Sequence, residues 1–403
     1  MRALSHKALA PVTFGAEELL QDALGAVRQH LGLEVSFISE FKDGQRIFRF
    51  VDADAGFCPL RVGSSGPLEE SFCQRVADGR LPELMGDACA NAEALALKVT
   101  TEMPIGAHIS VPIKLGEEVF GTFCFFSRER NLALDDRDLA VVKLYASFVE
   151  KILTGIVARQ REAEQGARQI RRIIDEQLFF PVYQPIFDVG MRRLAGYEVL
   201  ARFTAEPAQS PDRWFNAAAE VNLQVELERA VIERALTDFN HFPRENYLSF
   251  NISPQSILDE SLLRTFEGYP LERIMLEVTE HTAIDDYSVI ARKLEPFRVR
   301  GIRLAVDDAG AGYASFRHIL KLRPDVIKLD SSLVSAIDSD KGIRALAAAV
   351  IRFSEETGSK VVAEGVETKH ELKVLRQLNV NKAQGYLLGR PSRLAELKHL
   401  PPL

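Results

Sequence analysis

Ile302-Arg303-Leu304-Ala305-Val306-Asp307-Asp308-Ala309-Gly310-Ala311-Gly312 is the stretch from which the fold is read. Apolar residues at alternate and then successive positions predict a buried strand that stops at two carboxylates and a glycine-rich turn. Adjacent strand residues point to opposite faces. Both acids can therefore serve one site only if the strand ends at Asp307 and the backbone bends beyond it, which Gly310 and Gly312 permit. Neighbouring carboxylates repel unless something positive lies between them, and a metal ion is the natural candidate. A solvated Asp-Gly turn is the ordinary alternative, and the flanking sequence decides between them.

Working outward, short apolar strands alternate with helical patterns from about Phe179 to Leu403. The strands are Val182 to Asp188, Leu194 to Arg202, Leu248 to Ile252, Ile274 to Thr279, Arg303 to Asp307, Val326 to Leu329, Lys360 to Gly365 and Ala383 to Leu387. Helices fit every gap but the first, which predicts an α/β TIM-like (β/α)8 barrel. Only Val189 to Arg193 separate the first two strands, whereas a parallel crossover needs about a dozen residues. The first strand is therefore expected to be antiparallel.

Polar residues collect at the C-terminal ends of these strands, the face where barrel enzymes keep their chemistry. They are Glu198, Asn251, Glu277 with Glu280, Asp307 with Asp308, Lys328 with Asp330, Glu364, and Gln384. A lone Glu at a strand end is more often a loop contact. Acids on strand after strand are different, because burying that much charge without a cation costs on the order of several kcal/mol. Such a set suits a two-metal site hydrolysing a phosphodiester. Hard oxygen donors favour Mg2+ or Mn2+ over zinc, and the eight histidines form no metal-binding cluster.

Upstream, Leu20, Leu24, Val27 and Leu31 recur at helical spacing, with Gly32 as a stop. Strands at Glu34 to Phe41 and Arg46 to Val51 flank the hairpin signal Asp43-Gly44. Leu68 to Ala77 reads as one helix closed by Gly79, and Ala90 to Lys98 as another helical stretch. His108 to Leu115 and Val119 to Phe126 pair across Gly116-Glu117. Dominant hairpins predict an α+β domain on an antiparallel sheet.

A Pro-free helix follows. Val142, Val149, Ile156, Ala163 and Ile170 fall seven apart, and Tyr145, Ile152, Arg159, Gly166 and Ile173 form a second series offset by three. This a/d pattern is read as a parallel dimer coiled coil, with one long helix packing on its own domain as the alternative. The expected organisation is a sensor domain over 1–153, a helical connector over 154–178 and a barrel over 179–403.

The chain has 403 residues, a formal net charge of −7 and 46% hydrophobic residues, enough for two or three domains with real cores. The acidic balance and the absence of basic runs argue against binding a nucleic-acid polymer. No apolar run reaches the length of a membrane span, and Met1 to Pro11 lacks a signal-peptide core, so the expected location is the cytoplasm. The four cysteines, Cys58, Cys73, Cys89 and Cys124, make no C-x-x-C pair and read as small buried or half-buried thiols.

The first 150 residues or so resemble a GAF domain. The similar stretches are Ser71-Phe72-Cys73-Gln74-Arg75-Val76, Ile105-Gly106-Ala107-His108-Ile109-Ser110-Val111-Pro112-Ile113 and Val119-Phe120-Gly121-Thr122-Phe123-Cys124-Phe125-Phe126. Domains of that kind bind small ligands or chromophores, or serve as dimerisation units. The second half resembles the EAL-domain cyclic-di-GMP phosphodiesterases. Glu198-Val199-Leu200 matches the signature with Val for Ala. The further blocks are Tyr183-Gln184-Pro185-Ile186, Asn251-Ile252-Ser253-Pro254, Glu277-Val278-Thr279-Glu280, Ile327-Lys328-Leu329-Asp330, Ala363-Glu364-Gly365-Val366-Glu367-Thr368 and Gln384-Gly385-Tyr386-Leu387.

This second resemblance implies hydrolysis of cyclic di-GMP to linear pGpG with two Mg2+ or Mn2+ ions. It implies that Glu198, Asn251, Glu277 and Asp307 ligate one ion, and that Asp307, Asp308 and Glu364 serve the other or its hydroxide. Lys328 would position the water, Gln184, Arg202, Asp330 and Gln384 would meet the dinucleotide, and Glu280 would brace the loop after Asp308. That loop departs from the family, because Ala309 and Ala311 stand where Phe and Thr are usual. The expectation is a sensor-regulated homodimer, joined through its GAF domain and connector helix. The alternative is an EAL domain that binds the messenger as a receptor without turning it over.

Overall fold

Leu20, Leu24, Val27 and Leu31 form one buried stripe of helix α1 (Pro11–Leu31), as their spacing predicts. The computed structural model describes residues 11–54, 60–278, 287–309 and 320–399, and the chain divides into two units, Met1–Glu162 and Ala163–Leu403.

The first unit is a six-stranded antiparallel sheet in the order β3-β2-β1-β6-β5-β4. Its strands are β1 (Val35–Lys42), β2 (Gln45–Ala53), β3 (Ser65–Pro67), β4 (Leu84–Met85), β5 (Ala107–Leu115) and β6 (Glu118–Ser127). Asp43 and Gly44, at φ 50° and 72°, make the hairpin turn between β1 and β2. Alternation along β6 builds two cores. Phe123 and Phe125 pack with α1, while Cys124 and Phe126 pack with Phe72 and Cys73 on the other face.

Helical runs on that second face are shorter than their periodicity suggests. Leu68–Glu70 is a 3-10 turn, and helix α2 (Phe72–Ala77) starts afresh because the Ser71 side chain caps it at Gln74 N. Asn91 likewise starts α3 (Ala92–Leu95), and α4 (Lys98–Glu102) follows separately.

Helix α5 (Asp136–Asp175) carries the seven-residue series. Val142, Val149 and Ile156 are buried in the first unit's core, with Tyr145 and Ile152 packed partly against it. Ile170 and Ile173 are buried in the second unit beside Phe179, Trp214 and Leu227. Apart from Ala163, which is exposed, the apolar positions read as an interchain seam are thus covered by their own chain. Of the two weak points, Arg159 is exposed and Gly166 faces Val221.

The second unit is a closed barrel in the order β10-β11-β12-β13-β14-β7-β8-β9. Its strands are β7 (Phe179–Asp188), β8 (Arg193–Phe203), β9 (Tyr247–Ile252), β10 (Ile274–Val278), β11 (Arg303–Ala309), β12 (Val326–Leu329), β13 (Lys360–Ala363) and β14 (Lys382–Ala383). β7 runs antiparallel to both neighbours, β8 and β14, and every other pairing is parallel. The short first connection forces this. A ring of Ile186, Tyr247, Met275, Ala305, Val326 and Val362 forms a second small core alongside the larger one between strands and helices. No helix among the described residues is long and apolar enough to cross a membrane.

Candidate functional site at the strand ends

Strand periodicity builds the site directly on that ring. Two residues beyond Met275, Ala305, Val326 and Val362 on the same faces come Glu277, Asp307, Lys328 and Glu364. In β9 the series is Tyr247, Ser249, Asn251, and in the reversed β7 it runs backward from Ile186 to Gln184. An apolar layer thus supports a polar one above it. β13 and β14 stop earlier than expected, so Glu364 and Gln384 sit just past their last residues. Gly365 (φ 66°) and Gly385 (φ 155°) turn the chain there. A side chain at Gly385 would meet the Val366 backbone at 2.2 Å.

The carboxylates converge on Lys328. Its Nζ lies 2.6 Å from Glu277 Oε2, 2.8 Å from Glu364 Oε1, 3.2 Å from Asp307 Oδ1 and 3.5 Å from Glu198 Oε1. Asn251 Nδ2 donates to Glu198 Oε1 at 3.0 Å, and Gln384 Nε2 donates to Glu198 Oε2 and to Gln184 Oε1 at 3.1 Å. Gln184 Nε2 in turn donates to Gly389 O at 3.3 Å.

Electrostatics follow from one ammonium shared by four acids. Burial works against the charge of Lys328, but Glu198, Glu277, Glu364 and Asp307 outweigh it and hold its pKa well above the ordinary value. Burial, abetted by Glu198 and Asp307, pushes Glu277 well up despite Lys328. Burial pushes Glu364 up to about 8. Glu198 is also opposed by burial, yet Lys328, Gln384 and Asn251 bring it below the usual carboxylate value. The cluster is short of positive charge, and its members titrate together.

Other expected site residues are placed differently. Asp330 accepts from Ser332 N at 2.9 Å and caps the turn Ser331–Leu333. Arg202 is half-buried and donates to Ala201 O at 2.8 Å. Asp308 lies in β11 by its backbone, its side chain being outside the described residues, as are Glu280 and the loop from Gly310.

Two residues escaped the sequence reading. Ser249 is fully buried and donates from Oγ to Glu277 Oε1. Its signal was its place two residues before Asn251 on one strand. Glu228, buried in helix Gln224–Leu236, accepts from Ser253 N at 3.0 Å and Ser253 Oγ at 3.1 Å, bracing the turn after Asn251.

Among the described residues no three His, Cys, Asp or Glu side chains are arranged to hold a metal ion; the carboxylates close on Lys328 instead. The donor chemistry nonetheless fits a hard divalent cation. These are oxygen ligands, buried, and more negative in sum than one ammonium can balance.

Residues 167–391 match the family model described as EAL domain, and residues 15–154 match the one described as GAF domain. The chain is 32% identical over 241 residues to the probable cyclic di-GMP phosphodiesterase PdeD of Escherichia coli (strain K12), covering 57% of this chain and 44% of that protein. It is 31% identical over 267 residues to the cyclic di-GMP phosphodiesterase NbdA of Pseudomonas aeruginosa, covering 63% of this chain and 34% of that protein. The chain thus spans less than half the length of these curated relatives. A crystal structure of the FimX EAL domain of Xanthomonas citri in complex with c-di-GMP superposes with a TM-score of 0.53 at 21% identity, over 60% of this chain and 98% of that one. At that identity the likeness is one of fold.

Proposed function

The chain belongs to the EAL domain family and carries a GAF domain ahead of its barrel, and on that premise we propose that it hydrolyses cyclic di-GMP to linear pGpG. The observation that supports this most is the convergence of Glu198, Glu277, Asp307 and Glu364 on Lys328 at one end of the barrel. Two Mg2+ or Mn2+ ions are the implied cofactors, one held by Glu198, Asn251, Glu277 and Asp307, the other by Asp307, Asp308 and Glu364. When bound they polarise the scissile phosphate and lower the pKa of the attacking water. Glu364 accepts that water's proton. Lys328 Nζ stands against the charge that builds on the phosphate oxygens. Gln384, itself bonded to Gln184, fixes the Glu198 carboxylate, and Ser249 fixes Glu277. Attack at phosphorus breaks one P–O3′ bond, and the 3′-oxygen leaves with a proton, giving a linear dinucleotide with a 5′-phosphate.

Binding without turnover is the second reading, supported by Ala309 and Ala311 in the loop after the paired aspartates. Purified protein incubated with cyclic di-GMP and Mn2+, with products separated by chromatography, tests both. Linear product supports the hydrolase. A saturable complex without product supports the receptor. In either case the GAF unit is the proposed sensor, and the working form a homodimer through that unit and α5.

A further inference from the structure

A second cluster of charge lies at the other end of the barrel and has no part in the hydrolytic reading. A cavity of about 330 Å3 opens beside the first residues of β13 and β14 and the last residue of β7. Lys360, Arg376 and Lys382 line it, and Asp188 is the one carboxylate among its lining residues. Asp188 Oδ1 is engaged, accepting from Met191 N at 2.7 Å. Among the described residues, none of the three cations forms an ion pair.

Lys382 is only 7% exposed, although lysine is among the residues least often buried without a counter-charge. Its Nζ donates to Tyr247 Oη at 3.1 Å and sits 4.2 Å from the centre of that ring. The guanidinium of Arg303 stacks on the same ring at 4.5 Å. The Nε atoms of Arg303 and Arg376 are buried without an acceptor among the described residues. Burial, then repulsion from Arg303 and Lys360, pushes the Lys382 ammonium down to about 7. In a chain of net charge −7, three positive groups are gathered here with Asp188 as the one carboxylate beside them.

An anion is the missing complement. Arginine and lysine side chains lining a concave surface are the donors that recognise a phosphate group by charge-assisted hydrogen bonds. The volume lies in the range of small-ligand sites. We propose that the cavity at the β13–β14 end of the barrel is a phosphate-binding site, engaged by Lys360, Arg376 and Lys382. Its ligand is inorganic phosphate or the 5′-phosphate of a nucleotide.

Calorimetric titration of the full chain in the presence of EDTA separates this site from the carboxylate end, which without metal repels anions. One arm uses inorganic phosphate and the other guanosine 5′-monophosphate. Saturable binding at one site per chain is expected. Lys382→Met and Arg376→Gln should each weaken it by about tenfold or more, while Glu277→Gln leaves it unchanged. Lys360→Gln alters an exposed side chain at no risk to the core, and it should also weaken binding. Tighter binding of the nucleotide than of inorganic phosphate identifies a nucleotide site, and equal binding identifies a site for the phosphate group alone. No saturable binding of either compound, or binding unchanged in all three cavity variants, overturns the proposal.

Discussion

Lys328 Nζ lies 2.6 Å from Glu277 Oε2, with the two side chains 2% and 1% exposed. A buried pair of this kind contributes little net stability, but removing one partner is costly because the other charge is stranded. Here Lys328 is the shared partner of four acids. Lys328→Met should therefore destabilise the metal-free protein by about 3–5 kcal/mol, read as a lower urea midpoint in EDTA. With saturating Mn2+, kcat should fall by a factor on the order of 10² or more, with KM little changed. A raised KM at normal kcat would make Lys328 a binding residue instead.

Ser249 should act as a positioning residue. Ser249→Ala removes the donor to Glu277 Oε1 and leaves that oxygen free to rotate away. A fall in kcat of about tenfold with unchanged KM is expected, with partial recovery in Ser249→Thr, which restores the hydroxyl. Equal rates in all three proteins would assign Ser249 to packing alone.

His108 predicts an acid sensitivity of the first unit. It is buried against Phe72, its Nδ1 has no partner among the described residues, and burial holds its pKa down to about 3. The unfolded chain, with a pKa of about 6.5, binds more protons below that value. His108 therefore favours the folded state fully above about pH 6.5 and loses that contribution as pH falls toward 3. Between pH 7 and 5 the loss is about 2 kcal/mol. Urea unfolding at the two pH values measures it, and His108→Gln should flatten the difference. Parallel profiles for the two proteins would contradict this reading.

α5 predicts how two chains associate. With Val142, Val149 and Ile156 covered by their own unit, its large exposed apolar residues are Leu144 and Phe148, at 58% and 55% exposure and one turn apart. The full chain should sediment as a dimer, and Phe148→Glu should shift it toward monomer. A wild-type monomer at micromolar concentration would remove the dimer from the account.

Much of this was legible in the sequence, for identifiable reasons. Five residues between the first two barrel strands left no room for a parallel crossover, and β7 is antiparallel. Polar residues at strand ends marked the layer where Glu198, Glu277, Asp307, Lys328 and Glu364 meet. Ser249 was missed because a small hydroxyl inside an apolar strand looks like any other strand residue until its face is known. The heptads of α5 were ambiguous for a physical reason. A helix buries the same stripe whether a second chain or its own sheet covers it. The split between Leu68–Glu70 and α2 turned on Ser71, a cap inside what reads as one apolar helix.

Cyclic di-GMP turnover by the wild type and by Glu277→Gln, measured side by side with binding of the same nucleotide, tests the central claim most directly. The variant keeps the size and position of the Glu277 side chain while removing its charge from the cluster around Lys328. Linear pGpG is expected from the wild type with Mg2+ or Mn2+, none when EDTA is present, and loss of turnover in Glu277→Gln with the nucleotide still bound. Turnover by the variant at the wild-type rate with saturating metal would contradict it.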